Sequence, residues 1–172
     1  MNGSEELRTV QLTVDGTERT VAVRPGETLL ETLRERFRRT SVRQTCGIGV
    51  CGSCTVLLDG KVISSCIKLT ELANGHTITT AEGLGGPDGQ LSPVQEAFVS
   101  RAAYQCSFCI PAMTVAVHAA MADPEVRTST ERVREYLAGN LCRCGSYPQI
   151  LQAVDDLVKS QASQGLEADG DR

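Results

Sequence analysis

Cys46-Gly47-Ile48-Gly49-Val50-Cys51-Gly52-Ser53-Cys54 is the stretch on which the reading of this chain turns. It is C-x4-C-x2-C, and Cys66 follows after a gap long enough for a hairpin. This is the plant-type spacing of a [2Fe–2S] site. Three thiolates come from one tight loop. Gly47, Gly49 and Gly52 suit such a loop, because residues without Cβ let the backbone adopt positive φ and turn N–H groups inward. A four-thiolate [2Fe–2S] core is anionic, and its burial requires such donors. A phosphate-binding loop is a poor match, since no lysine with serine or threonine follows the glycines.

The remaining cysteines form a second quartet. Cys106 and Cys109 are spaced C-x2-C, and Cys142-Arg143-Cys144 lies farther along, so all 8 cysteines are used. Two clusters are expected. A disulfide scaffold belongs to small secreted domains, and Met1 to Thr9 is polar and charged, unlike a signal peptide. Structural zinc prefers paired C-x2-C knuckles or Cys/His mixtures, and C-x-C is a poor knuckle. A thioredoxin-like pair at Cys106 and Cys109 would leave Cys142 and Cys144 without a purpose.

Around the first quartet the sequence reads as strands about one helix. Val10, Leu12 and Val14 alternate, Asp15-Gly16 supplies a hairpin turn, and Thr20 to Val23 returns. Thr28 and Glu31 form a capping box ahead of Leu29, Leu30, Leu33 and Phe37. Thr55 to Leu58, the Asp59-Gly60 turn and Lys61 to Ser64 make a second hairpin, and Thr77 to Thr79 a last strand. The layout is a small α+β sheet domain.

Gly83 to Gly89 is rich in glycine and reads as a flexible connection. Beyond it four helices are expected: Pro93 to about Tyr104 under a Ser92/Gln95 capping box, Pro111 to Met121, one capped by Thr128 with Glu131 and ending at Gly139, and Pro148 to Ser160. The expected limits are residues 1–82, 83–160 and a disordered polar tail over 161–172. Met113, Val117 and Met121 read as core, and His76 and His118 as structural. In the helical half, each of two helical hairpins supplies two cysteines, placing two helix N-termini towards the second cluster.

A net charge of −4 and the scarcity of aromatics argue against nucleic acid, and no apolar run is long enough to span a bilayer. A cytoplasmic protein is expected.

Cys46 to Leu57, Gln105-Cys106-Ser107-Phe108-Cys109-Ile110-Pro111 and Gly139-Asn140-Leu141-Cys142-Arg143-Cys144 together resemble the iron–sulfur subunit of the molybdenum hydroxylases, the xanthine oxidase family. The resemblance implies a ferredoxin-like β-grasp domain followed by a four-helix domain, each with one [2Fe–2S] cluster. It implies a large partner subunit with molybdopterin, as the cytosine dinucleotide, and a medium subunit with FAD, in a dimer of heterotrimers. Electrons would pass from molybdenum through the helical-domain cluster, then the ferredoxin-like one, to FAD. Gln105 and Cys144 would lie against the pterin, and this chain alone would catalyse nothing. Ser107 and Ala112 stand where glycines are common in that family, and Gly145-Ser146-Tyr147 where Thr-Gly-Tyr is usual. A free-standing ferredoxin is the competing reading. It would need one exposed cluster, which leaves the helical domain unexplained. A sensor or assembly scaffold is disfavoured because neither quartet has a spare thiol.

Overall fold

The computed structural model describes residues 6–169, with side chains through Gln161. Residues 1–5, the start of the polar N-terminus, and 170–172, the end of the expected tail, lie outside it.

Strand β1 (Arg8–Val14) buries Val10, Leu12 and Val14 on one face, as its alternation dictates, and turns through Asp15 and Gly16 into β2 (Thr17–Val23). Both turn residues have positive φ, the geometry that lets a two-residue turn follow the strand twist. Helix α1 (Leu29–Glu35) starts under the Thr28/Glu31 capping box and buries Leu29, Leu30 and Leu33. Strands β3 (Thr55–Leu58), β4 (Lys61–Ser64) and β5 (Thr77–Thr79) complete one sheet in the order β2-β1-β5-β3-β4. The β1/β5 pair is parallel and the others antiparallel. One core gathers Leu12, Val14, Leu33, Phe37, Val56 and Ile78 between sheet and helix.

The second half holds α2 (Pro93–Ser100), α3 (Ile110–Ala122), α4 (Thr130–Tyr136) and α5 (Tyr147–Asp169). Helix α3 is buried on nearly every side. Met113, Val117 and Met121 face the other helices with Phe98, Val133 and Ile150, while Val115 and Ala119 pack on Leu57 of the sheet. A helix apolar all round belongs inside a structure, and this one joins the two cores.

Four expectations are corrected. Helix α2 stops at Ser100 rather than near Tyr104, because the chain turns at Ala102, whose φ is 45°. The cap of α4 is Ser129, which accepts from Arg132 N, while the Thr128 hydroxyl donates to Glu125 O. The glycine-rich connection is packed: a Cβ on Gly83 would strike the Asp15 carboxylate and one on Gly85 the Gln90 carbonyl. Helix α5 continues past Ser160 to Asp169, so 161–169 extends the helix instead of forming a disordered tail. Prolonging a formed helix needs no new nucleus, and glutamine, alanine, leucine and glutamate all favour it. Among the described residues no helix is long and apolar enough to cross a membrane.

Candidate metal centres

The long gap before Cys66 is the β3–β4 hairpin itself. Cys54 immediately precedes β3, and Ser65 and Cys66 follow β4, with Thr55 paired to Ser64. Ser65 is fully buried and ties the two ends together, donating to Cys54 O from its amide at 3.4 Å and its hydroxyl at 2.7 Å. A two-strand hairpin thus returns the fourth thiol beside the third. Gly47, Gly49 and Gly52 have φ of 69°, 75° and 70°, and the loop they shape turns its amides on Cys46. The N–H groups of Ile48, Cys51 and Val50 pull the Cys46 thiol down to about 6, with Val50 N at 3.4 Å from the sulfur. Cys66 is pushed up to about 11 by burial and by the neighbouring Cys54.

The second quartet has an inner and an outer pair. Cys109 caps α3 and is buried, and burial, followed by the adjacent Cys142, pushes its thiol up to about 12. Burial also opposes ionisation of Cys142, but the Ser146 amide at 3.4 Å, the Cys109 thiol and the Cys144 amide bring its pKa below the ordinary value. Cys106 and Cys144 are exposed and hydrogen-bonded to each other. The Phe108 amide and then Cys144 lower Cys106, while Cys106 raises Cys144.

Thiols therefore meet two by two: Cys46 with Cys51, Cys54 with Cys66, Cys106 with Cys144 and Cys109 with Cys142. Among the described residues no three or more His, Cys, Asp or Glu side chains close on a single metal ion. Paired thiols with inward amides fit a two-iron core, in which each iron takes two thiolates. His76 Nδ1 lies 2.5 Å from Asp59 Oδ2 at the β3–β4 turn, and His118 is half-buried on α3, with its pKa lowered by burial. Gln105 and Cys144 both lie at the surface.

The two cysteine loops are bonded to each other. Leu141 N donates to Cys51 O at 2.9 Å, and the buried Asn140 amide donates to Gly52 O at 3.1 Å and Thr55 Oγ1 at 3.2 Å. Tyr147 closes the arrangement: its hydroxyl donates to Asn140 O and accepts from Cys142 N, both at 2.9 Å. From the sheet side, Arg43 donates to Ser107 O at 3.2 Å and lies 5.0 Å from the Phe108 ring centre. Sequence reasoning missed Arg43, Asn140, Ser146 and Tyr147 as parts of the site. Asn140, Ser146 and Tyr147 sit beside the second quartet's cysteines, where their proximity was a signal; nothing in the sequence marks Arg43.

A sheet domain and a helical domain, each carrying a thiol quartet, define a two-cluster iron–sulfur protein. Family models agree: a 2Fe-2S iron-sulfur cluster binding domain matches residues 12–80 and a [2Fe-2S] binding domain residues 80–155. The chain is 42% identical to the xanthine dehydrogenase iron-sulfur-binding subunit of Escherichia coli O157:H7, covering 94% of this chain and 100% of that one. Its structure resembles a chain of quinoline 2-oxidoreductase from Pseudomonas putida 86 at TM-score 0.84 and 37% identity, over 92% of this chain and 98% of that one. It also matches the aldehyde oxidoreductase from Desulfovibrio desulfuricans at TM-score 0.83 and 39% identity, over 90% of this chain but 17% of that longer one. The chain belongs to the iron–sulfur small subunits of the molybdenum hydroxylase family.

Proposed function

We propose that this chain is the internal wire of a heteromeric molybdenum hydroxylase, relaying electrons from a molybdopterin site through two [2Fe–2S] clusters towards FAD or another acceptor. Bound in the quartets, the clusters supply one-electron transfer. Cys46, Cys51, Cys54 and Cys66 hold the first; Cys106, Cys109, Cys142 and Cys144 hold the second. The division falls at 82/83, giving units 1–82 and 83–160.

The observation that carries this reading is the Leu141 N to Cys51 O hydrogen bond. It joins a ligand residue of one quartet to the neighbour of a ligand in the other. A free carrier gains nothing from fixing two cysteine loops together, whereas a relay depends on their separation staying constant. The partners in this reading are a large molybdopterin-binding subunit and a medium FAD-binding subunit, in a cytoplasmic dimer of heterotrimers. Exposed apolar residues near both quartets support docked neighbours: Ile48, Val50 and Ile67 by the first, Phe108 and Leu141 by the second. The surface positions of Gln105 and Cys144 suit the face that meets the pterin.

The test begins with content: about four irons and about four acid-labile sulfides per chain. Two reduced electron paramagnetic resonance signals are expected, one lost in Cys51→Ser and the other in Cys109→Ser. In the assembled enzyme, Cys109→Ser should still allow substrate to reduce molybdenum but slow flavin reduction. Normal flavin reduction in a complex shown to lack the second cluster would refute the relay and leave a carrier or structural role.

A further inference from the structure

Ser146 is 1% exposed, and its hydroxyl oxygen is buried without a hydrogen-bond partner. Leaving such a group unsatisfied in the interior is unfavourable. A serine just ahead of a helix ordinarily gives its oxygen to first-turn amides. This one, directly before α5, does not. Its own amide is 3.4 Å from Cys142 Sγ, so the residue that carries the unpartnered hydroxyl already touches that sulfur.

We propose that the Ser146 hydroxyl is a second donor to Cys142 Sγ, and that it raises the reduction potential of the helical-domain cluster. The inference rests on the assignment of Cys142 as a ligand. Reduction adds one electron to the cluster, and part of that charge resides on the ligand sulfurs. A donor aimed at such a sulfur stabilises the reduced form more than the oxidised form. Burial strengthens the effect, because water does not compete for the sulfur or screen the dipole. Ser146 is then a positioning and tuning residue. It holds the electron more firmly on the cluster that faces molybdenum, with no contact to substrate.

The experiment compares the assembled complex with Ser146→Ala, which deletes the hydroxyl, and Ser146→Gly. Iron and sulfide content is verified first. Redox titration followed by electron paramagnetic resonance then reads both clusters in one sample, the first serving as internal control. The second cluster should become about tenfold harder to reduce, equivalent to about 59 mV for one electron, with the first unmoved. In deuterated solvent, the deuteron coupling to the reduced second cluster should be weaker in Ser146→Ala than in the parent, with the Ser146 and Cys144 amides accounting for what remains. Fully loaded variants with an unshifted second midpoint would overturn the proposal while leaving the two-cluster reading intact. If Cys142→Ser retained both signals, the ligand assignment would fail and take this proposal with it. Should Ser146→Ala lose its cluster, Ser146→Gly alone decides.

Discussion

Gly52→Ala should break the junction between the two cysteine loops. Gly52 has φ of 70°, where a Cβ costs about 1–2 kcal/mol in conformation alone. The added methyl would also lie 2.7 Å from Asn140 Nδ2 and 2.9 Å from Asn140 Cα, and closer still to the Gly139 carbonyl oxygen. Those neighbours are mostly backbone and cannot swing aside. Relief requires moving the 139–141 segment, which removes Asn140 from Gly52 O and Thr55 Oγ1 and leaves a buried amide unpaired, a further cost of about 1–3 kcal/mol. The sum, about 2–5 kcal/mol, corresponds to a fall of about 4–20 °C in melting temperature at about 2–4 °C per kcal/mol for a chain of this size. Gly60→Ala is the control, because Gly60 has φ of 79° but a Cβ there meets nothing within 4 Å. It should show the conformational part only. The assay is thermal unfolding of cluster-loaded protein at a fixed scan rate. Equal shifts in the two variants would refute the claim that Gly52 is required by the close approach of the second loop.

Asn140→Ala should speed amide exchange at Leu141 while leaving the β1–β2 hairpin protected, measured by hydrogen exchange of the loaded chain; unchanged exchange at Leu141 would show that Asn140 does not hold the junction. In the iron-free chain Cys46 should alkylate fastest, with a rate that titrates near pH 6, whereas Cys66 and Cys109 should react only at high pH. The sign follows from a lowered thiol: its contribution to folding is complete above the unfolded value of 9.0 and disappears as pH falls through about 6. Glu27 is buried, and although desolvation works against its charge, the Thr32 hydroxyl, the Arg24 amide and Arg36 hold its pKa below 4.5. Its stabilisation is therefore present above pH 4.5 and is lost in more acidic solution, so Glu27→Gln should flatten the acid limb of the stability curve measured by urea unfolding.

The elements of the sheet domain were legible because their signals are local. The Val10-Leu12-Val14 alternation, the Asp-Gly turns and the Thr28/Glu31 box each specify their structure within a few residues, and each appears where expected. Helix ends were less legible. Thr128 and Ser129 can both cap, and the choice falls to Ser129 because its backbone is extended, with φ of -157° and ψ of 152°, and its hydroxyl accepts from Arg132 N. The glycines of 83–89 suggested slack, but a glycine equally marks a place where other atoms come close, and Asp15 and Gln90 occupy that space. The cysteines that meet in pairs were marked by their spacing, whereas the junction between the two loops was not. Asn140 bonds to Gly52, a residue far away in sequence, and no local pattern announces such a partner.

Ser107 shows how this chain accommodates a side chain at a left-handed backbone position of the junction. Its φ is 60°, in the left-handed region where glycine is free of cost and another residue is not. The conformation is nevertheless required, because it turns the chain between Cys106 and Cys109 so that the Phe108 amide reaches the Cys106 sulfur. A serine there adds about 1 kcal/mol of strain. Arg43 offsets it from the other domain: its guanidinium donates to the Ser107 carbonyl and lies over the Phe108 ring, each contact being worth about 0.5–1.5 kcal/mol. The strained turn is thus held by a cation from the sheet side. Since Arg43 N also donates to Ser53 O in the first cysteine loop, one residue ties the conformation of both quartets together. Ser107→Gly should therefore relieve the strain and gain stability even with Arg43 intact, whereas Arg43→Ala should cost less in the parent than in Ser107→Gly, because the parent's turn recovers its strain once the cation is gone. A double-mutant cycle measured by unfolding separates the two. Strict additivity would mean that Arg43 does nothing to hold the turn.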